Sequence, residues 1–423
     1  MGQSGRVSDG EKTLWILNHY AVTPDLPGGT RHVDLARELV KLGWRVTILA
    51  SAFHHVFRRH VKLAPGQRWR VEEVDGIDVV WIRTTPYRGN DWRRTWSMVD
   101  YTVRAWWTGR LLPRRIPEVG RPDVVLGSSV HLLAVVAAWR LARHYRARFV
   151  MEVRDLWPQT LVDMGQLSEA SLMTRLLRGL EAFLYRRAAR IVTLLPRVED
   201  YIASRGIPRE KVVWVPNGVD LSRFPTPSPS PQADGPFTVM YPGAHGEANA
   251  LGTVIEAAAL LQDQAAEVRF VFVGDGPEKE WLMEKARSLG LRNVEFRDPV
   301  RKAETTDTLH EAHVFVFHLQ RAPVFEYGVS SNKLFDYMAA ERPVVFAVQA
   351  GNNPVDEAGC GITIAPEDPA ALADAVPPPR TPLGRGEGRH GAAGKVIRRG
   401  APRDPPPRRA AFPCPRRGII RAQ

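Results

Sequence analysis

A chain of 423 residues, 44% hydrophobic and 25% charged, is too long for one compact domain and suits two, each able to bury its own core. Its two cysteines, Cys360 and Cys414, belong to no CxxC pair or Cys/His cluster, which excludes a disulfide framework and a zinc module and fits a reducing cytoplasm. The formal charge of +12 excludes less than it suggests: residues 377–423 hold twelve arginines and lysines against Glu387 and Asp404, the remaining body is close to neutral, and no nucleic-acid partner is expected.

Near the N-terminus the apolar run Leu14-Trp15-Ile16-Leu17 is too short for a signal-peptide core, and no later segment has the apolar length to cross a bilayer. Residues 14–19 read as a strand, 30–42 as a helix with apolar Val33, Leu35, Ala36, Leu39 and Val40, and 45–50 as a second strand, which makes a βαβ unit. Between the first strand and its helix, Gly28-Gly29 offers backbone that can approach a ligand closely, with a helix N-terminus behind it. Strands are expected at 79–82, 124–126, 149–153 and 191–194, with helices at 132–144 and 172–189. Residues 92–115 carry apolar side chains at 92, 96, 99, 103, 106, 107 and 111 with arginines at the margins. This predicts an amphipathic helix, packed on the first domain or set against a bilayer through its tryptophans.

Repeated prolines from 225 to 231 then favour an extended connector. The alternation restarts with strands at 237–241, 268–273 and 314–317 and helices at 250–261, 278–289 and 333–340, followed by the apolar run Val344-Val345-Phe346. This predicts an α/β fold of two doubly wound, mostly parallel sheets, with the ligand site in a cleft between the carboxyl ends of their strands. The expected boundaries are 1–223, a linker at 224–236, and 237–376. The basic tail 377–423, with ten prolines and seven glycines, reads as disordered, and its abrupt start after the helical pattern at 369–376 reads as an out-of-frame extension.

The most informative stretch is 328–340. It reads as a small-residue loop followed by a helix start, where loop amides and Lys333 can hold a phosphate. Asp336, one turn on from Asn332, stands where a carboxylate can accept from ribose hydroxyls. Gly243-Ala244-His245-Gly246, at a strand-to-helix turn, is placed to face the same diphosphate.

Val215-Pro216-Asn217-Gly218-Val219-Asp220, Tyr241-Pro242-Gly243, Phe272-Val273-Gly274-Asp275-Gly276-Pro277 and the block from Lys333 to Pro343, taken together, resemble the retaining family-4 glycosyltransferases of the GT-B fold. Glu152-Val153-Arg154-Asp155-Leu156-Trp157-Pro158 and 328–340 look most similar to bacterial enzymes of capsule, O-antigen and colanic-acid-type exopolysaccharide assembly. The resemblance implies two Rossmann-like domains, with a saccharide or polyprenyl-diphosphate-saccharide acceptor on the first and a nucleotide-diphosphate sugar on the second. It implies transfer with retention, through an oxocarbenium-like state, with no cofactor and no obligatory metal, the leaving diphosphate being stabilised by amides, helix ends and basic side chains. The implied donor-binding residues are Gly28, Gly29, Gly243, His245, Gly246, Asn332, Lys333 and Asp336. Arg154 and Asp155 stand where many members have a His near the reacting carbon, and with Lys333 they are the expected catalytic groups, ahead of His131.

Two departures stand out. Many members carry an Arg and a Lys after the strand that ends at Gly243, whereas this chain has Glu247 and Asn249, so Lys333 or Arg154 must carry more of the diphosphate. The family also has a Glu eight positions before the acid at 336; that position is Gly328, and Glu326 is the expected substitute. For a lipid-linked acceptor, Trp96, Trp106 and Trp107 with Arg58 and Arg59 are expected to meet an anionic membrane, at the inner face of the plasma membrane of a cytoplasmic enzyme. The alternatives are a degenerate GT-B protein that binds nucleotide or a partner without turnover, and a GT-B-type sugar-nucleotide epimerase.

Overall fold

A computed structural model describes residues 12–89, 91–224, 231, 235–263 and 267–376; the expected tail at 377–423 and most of the proline-rich linker lie outside these residues. In chain order the strands of the first half are β1 (Lys12–Leu17), β2 (Trp44–Ser51), the two-residue pair β3 (Phe53–His54) and β4 (Arg59–His60), β5 (Trp69–Val74), β6 (Ile77–Ile82), β7 (Val124–Ser128), β8 (Arg148–Val153), β9 (Arg190–Thr193) and β10 (Val212–Trp214). All but β3 and β4 join one sheet in the order β10-β9-β8-β7-β1-β2-β6-β5, parallel except for β5 against β6. The second half supplies β11 (Phe237–Pro242), β12 (Val268–Val273), β13 (Val294–Arg297), β14 (Val314–His318), β15 (Val344–Ala347) and β16 (Gly361–Ile364). These pair in parallel in the order β13-β12-β11-β14-β15-β16. Read in chain order that is 3-2-1-4-5-6, whose order reverses between β11 and β14 and so opens a crevice at their carboxyl ends.

Each sheet is buried on both faces, which is why its strands are continuous apolar runs rather than alternating ones. On β1, Leu14 and Ile16 join Val33 and Ile48 on one face, while Trp15 and Leu17 join Tyr101 and Leu141 on the other. On β12, Val271 and Val273 pack with Phe315 and Leu334, and Phe270 and Phe272 pack with Val254 and Leu282. The two-residue period along each strand thus feeds two half-cores.

The expected strands and helices are present with ends shifted by a few residues, and several elements were not anticipated. The β5–β6 hairpin turns at Asp75-Gly76, both with positive φ, the geometry that a two-residue Asp-Gly connection favours. Its apolar residues alternate with charges because β5 is a half-exposed edge. β13 and β16 are also edge strands, short and only partly buried, and so lack a clear apolar run.

The two halves meet through apolar contact as well as through the chain. Val324, from the second half, is buried in the first domain's core, and Phe325 and Tyr327 pack against it. The Arg197 amide donates to the Tyr327 carbonyl at 3.0 Å, and the Tyr327 ring meets Tyr201 with centroids 5.4 Å apart.

Candidate functional site

The first wall of the cleft is built where β1 gives way to the helix Arg31–Lys41. Gly28 adopts φ +134°, and a Cβ on Gly29 would lie 2.4 Å from Asn332 Nδ2, so glycine at these positions lets the loop reach across to the second domain. The next two residues turn inward. Arg31 Nε donates to Glu152 Oε1 at 2.9 Å and His32 Nε2 meets Glu152 Oε2 at 2.7 Å, all three side chains being buried. Asn18 Oδ1 accepts from the Tyr20 amide, so its Nδ2 faces His32 Nδ1 at 2.8 Å, which leaves the His32 Nε2–H to donate to Glu152. Burial alone would raise the Glu152 carboxyl, but His32 and Arg31 together hold it well below the usual range. The same guanidinium donates from Nη1 to the Pro216 carbonyl at 2.6 Å and from Nη2 to the Val215 carbonyl at 2.8 Å. One carboxylate at the end of β8 therefore fixes both the glycine loop and the segment entering the interdomain connection. Asn217 continues that segment, its amide donating to Ser330 Oγ at 2.8 Å and its side-chain Nδ2 to the Ser330 carbonyl.

The opposite wall comes from the ends of β11 and β12 and the helix Asn332–Ala339. Gly274 has φ +150° and a Cβ there would lie 2.0 Å from the Gly243 carbonyl oxygen, so two strand-end loops touch backbone to backbone. Gly274→Ala is accordingly expected to lower stability by roughly 2–4 kcal/mol, through overpacking added to backbone strain; a urea titration checks this against Gly66→Ala, which adds a Cβ at a positive φ into open space. Gly243 leaves room for Lys333, whose Cδ would be 3.0 Å from a Cβ at that position. Lys333 Nζ donates to Tyr241 Oη and to Asn249 Oδ1, both at 2.6 Å, and lies over the Tyr241 ring. Burial pulls this ammonium down to about 7. Ser331, at the cap, makes no side-chain bond to the helix amides, and although the Leu334 amide donates to the Ser331 carbonyl at 3.1 Å, the Asn332 and Lys333 N–H groups find no partner among the described residues and keep the positive end of the helix open. One turn on, Asp336 Oδ2 receives Lys302 Nζ at 2.5 Å. Burial raises the Asp336 carboxyl while Lys302 opposes the rise.

Between these two walls lies a cleft of about 510 Å³. Of the sequence-derived donor residues, Gly28, Gly29, Gly243, Asn332, Lys333 and Asp336 border it, and so do Arg154 and Asp155. His245, Gly246 and Glu326 do not. The His245 side chain is fully buried among Tyr241, Phe272 and Phe296, with neither ring nitrogen hydrogen-bonded among the described residues, because its backbone is held in the core by the Asp275 carbonyl and the Glu278 amide. Burial lowers its imidazolium to about 4. Glu326 is exposed on the short turn Pro323–Tyr327. Gly328 cannot host the missing acid either, since it has φ +108° and a Cβ would lie 2.5 Å from Pro196 Cδ. Lys302 has no signal in the sequence, where a lysine after an edge strand looks like solvated surface, and Asn217 stands out there only as part of the 215–220 motif, because its contact with Ser330 spans 113 residues.

On the first-domain side the Arg154 amide donates to Ser129 Oγ at 3.2 Å. Asp155 opens onto the cleft, whose walls displace enough water to raise its carboxyl against the pull of Arg154. His131 caps the helix Leu132–Tyr145, its Nδ1 accepting from the Ala134 amide at 3.1 Å, and its Nε2 meets His19 Nδ1 at 2.9 Å. The helix Trp92–Arg115 buries Ser97, Met98, Tyr101, Ala105, Thr108, Gly109 and Leu112. It turns Trp92, Trp96, Val103, Trp107 and Leu111 to the exterior. Trp106 is half-buried against the core rather than free, with Arg140 over its ring. The basic pair Arg58 and Arg59 is exposed in the β3–β4 hairpin, next to His55 and Val56, which border the cleft.

Residues 28–218 match the family model of a "Glycosyl transferase 4-like domain" and residues 236–377 that of "Glycosyl transferases group 1", so the two models take one wall of the cleft each. The chain is 27% identical over 263 residues to the "Probable glycosyltransferase WbjE" of Pseudomonas aeruginosa, covering 60% of this chain and 65% of that one. It is 24% identical over 241 residues to the "Putative colanic acid biosynthesis glycosyl transferase WcaI" of Escherichia coli (strain K12), covering 54% and 58%. The chain thus spans less than two thirds of the length of these relatives. Among solved structures, the sucrose-phosphate synthase of Thermosynechococcus elongatus shares the fold with a TM-score of 0.62 at 17% identity, over 86% of this chain and 88% of that one. Anabaena HepE, solved in complex with UDP-glucose, shares it with a TM-score of 0.57 at 15% identity, over 86% and 88%.

Proposed function

We propose that this chain, which belongs to the GT-B glycosyltransferases with a family-4-like first domain, moves a sugar from a nucleotide-diphosphate sugar to a saccharide or lipid-linked saccharide acceptor, with retention of anomeric configuration, in cell-surface polysaccharide assembly. The observation that carries the reading is the pairing, across one cleft, of the Gly28-Gly29 loop with the open helix start at Asn332 and the half-buried Lys333. Such a pairing puts positive potential where a departing diphosphate accumulates negative charge. That HepE is solved with UDP-glucose supports a nucleotide-sugar donor for this chain as well.

In this reading Lys333 and the first-turn amides hold the diphosphate, and Asp336 takes the ribose. Arg154 stands at the reacting end to stabilise the leaving phosphate, and Asp155, its carboxyl raised, orients Arg154 or the acceptor hydroxyl. The expected boundaries near 223 and 237 divide the acceptor and donor domains. Turnover with one member of a panel of UDP-, GDP- and dTDP-sugars, and none with the others, is the expected result. Nucleotide binding with no turnover from any donor would favour the second reading, a binding protein, which the occupied position beside Gly328 and the remote Glu326 support.

The exposed Trp92, Trp96 and Trp107, with Arg110 against Trp107 and the Arg58-Arg59 hairpin beside the cleft, suit peripheral contact with an anionic bilayer at the cytoplasmic face. Among the described residues no helix is long and apolar enough to cross a membrane. Replacing the three tryptophans by serine is expected to abolish co-sedimentation with phosphatidylglycerol vesicles at low salt while leaving the fold intact, because all three side chains are exposed. Unchanged co-sedimentation would sink the membrane assignment.

A further inference from the structure

Outside the cleft, one buried carboxyl lies beside the contact between the two halves. Glu181, on the helix Leu172–Arg187, is fully buried and forms no ion pair among the described residues. Tyr185 Oη donates to its Oε1 at 3.0 Å and Tyr201 Oη at 3.1 Å. Two guanidinium groups stand nearby without hydrogen-bonding it. Arg178 uses Nη2 on Gln159 and Glu169 and keeps Nε and Nη1 buried without a partner, and Arg205 lies over the Tyr201 ring, 4.7 Å from its centroid. Burial lifts the Glu181 carboxyl from 4.5 to about 7, and the two hydroxyls and the charges of Arg205 and Arg178 only partly oppose the rise.

The cover of this cluster comes from the second half. The turn Pro323–Tyr327 sets the Tyr327 ring edge-on against Tyr201, accepts from the Arg197 amide at the Tyr327 carbonyl, and buries Val324 in the first domain's core. It therefore shields the tyrosine whose hydroxyl holds Glu181. The charges around Tyr327 are those of Asp163, Glu326, Arg205 and Arg178. Lifting the turn away lets water reach Tyr201 and the carboxyl behind it, and a hydrated carboxyl returns toward its ordinary value. We propose that the Pro323–Tyr327 turn docks on the first domain with uptake of a proton at Glu181, so that acidification tightens the contact between the halves and rising pH loosens it. The docked form keeps this proton up to about 7, and the undocked form only to near 4.5. The contact is thus at full strength below about 4.5, weakens through the interval between, and is weakest and constant above about 7. Ser330 and Ser331, which border the cleft, follow Tyr327 closely in the chain, so the proton acts on the backbone that leads into the cleft. No nucleotide takes part in this linkage, which stands apart from the donor reading.

The Arg197 amide reports the contact directly, because its acceptor lies in the other half. Hydrogen exchange of the full chain is read by mass spectrometry at the peptide spanning Arg197, at about pH 5.5, 7.5 and 8.5, with labelling times scaled to the intrinsic rate. The peptide spanning β8 reports unfolding of the first domain itself. In the wild type, protection at Arg197 relative to β8 should fall by about tenfold from pH 5.5 to 7.5 and no further by 8.5. Glu181→Gln, which keeps the shape and cannot ionise, should be protected equally at all three. Tyr201→Phe removes a hydrogen bond that favours the carboxylate, so its fall should continue past about pH 7.5. Protection that is independent of pH in the wild type, a full fall surviving in Glu181→Gln, or an equal fall in both peptides overturns the inference. Should Glu181→Gln fail to fold, Tyr201→Phe decides: a fall that levels off where the wild type does also overturns it.

Discussion

Lys333→Ala should reduce turnover by about a hundred- to a thousandfold, the effect typical of removing one preorganised electrostatic contact to a leaving group. The ammonium is shielded from solvent, carries no counter-ion among the described residues, and is held by Tyr241 and Asn249 at the start of a helix whose amides point the same way. Its release of a proton near 7 gives the substitution a signature that a merely structural lysine would not have. Without ligand the side chain discharges as pH rises past about 7; a diphosphate beside it favours the charged form. Nucleotide binding should therefore take up a proton above pH 7, and affinity should fall as pH rises, by up to tenfold per unit. Titrations at pH 8 in two buffers of different ionisation enthalpy measure the uptake. Uptake that persists in Lys333→Ala would assign it to another group and remove Lys333 from the phosphate site.

Glu152→Ala is expected to lower unfolding free energy by about 3–5 kcal/mol, because it strands a buried guanidinium. Against the 5–15 kcal/mol typical of a domain, that is enough to unfold much of the first domain at moderate temperature. Glu152→Gln keeps the shape, yet its NH₂ must face either Arg31 Nε–H or His32 Nε2–H, and His32 cannot change tautomer without turning a proton onto Asn18 Nδ2. A smaller loss, about 1–3 kcal/mol, is expected. The pH dependence has a definite sign. A carboxyl held below its unfolded value of 4.5 gives stability that is complete above that pH and lost as pH falls below it. Both variants should therefore lose part of the acid-side slope of the wild type in urea titrations between pH 5 and 3, and a slope equal to that of the wild type would contradict the assignment.

The parts legible in the sequence were those with a local cause. Buried parallel strands such as Val268–Val273 and Val314–His318 announce themselves as apolar runs. The Asn332–Ala339 helix start is visible because small polar residues precede an apolar periodicity, and Lys333 and Asp336 are fixed on it by spacing alone. The β5–β6 hairpin was missed although Asp75-Gly76 is a turn signal, because the charges of an edge strand hide the apolar alternation. His245 and Glu326 were misplaced for another reason. Their position along the chain is right, but whether such a side chain enters a cleft depends on the backbone direction set by partners distant in sequence, here Asp275 and Glu278 for the one and the packing of Val324 for the other. The pairs Arg31–Glu152, Asn217–Ser330 and Lys302–Asp336 span 121, 113 and 34 residues and leave no periodic trace in one sequence. The helix Trp92–Arg115 reads as amphipathic, but Trp92, Trp96 and Trp107 lie on its exterior while Tyr101 and Leu112 go inward, where Gly109 lets Leu141 close in beneath it.

Asn217 gives the connection between the halves a mechanical character. It lies on the segment that leads from β10 toward the second half, and it grips Ser330 through both backbone and side chain, two residues before the helix that carries Lys333. Swinging the domains apart must either break those two hydrogen bonds or carry Ser330 along with Asn217, so opening the cleft is coupled to the start of the helix that follows Ser330. On the proposed function, one asparagine then ties the spacing of the two domains to the spacing of the groups that would hold the diphosphate.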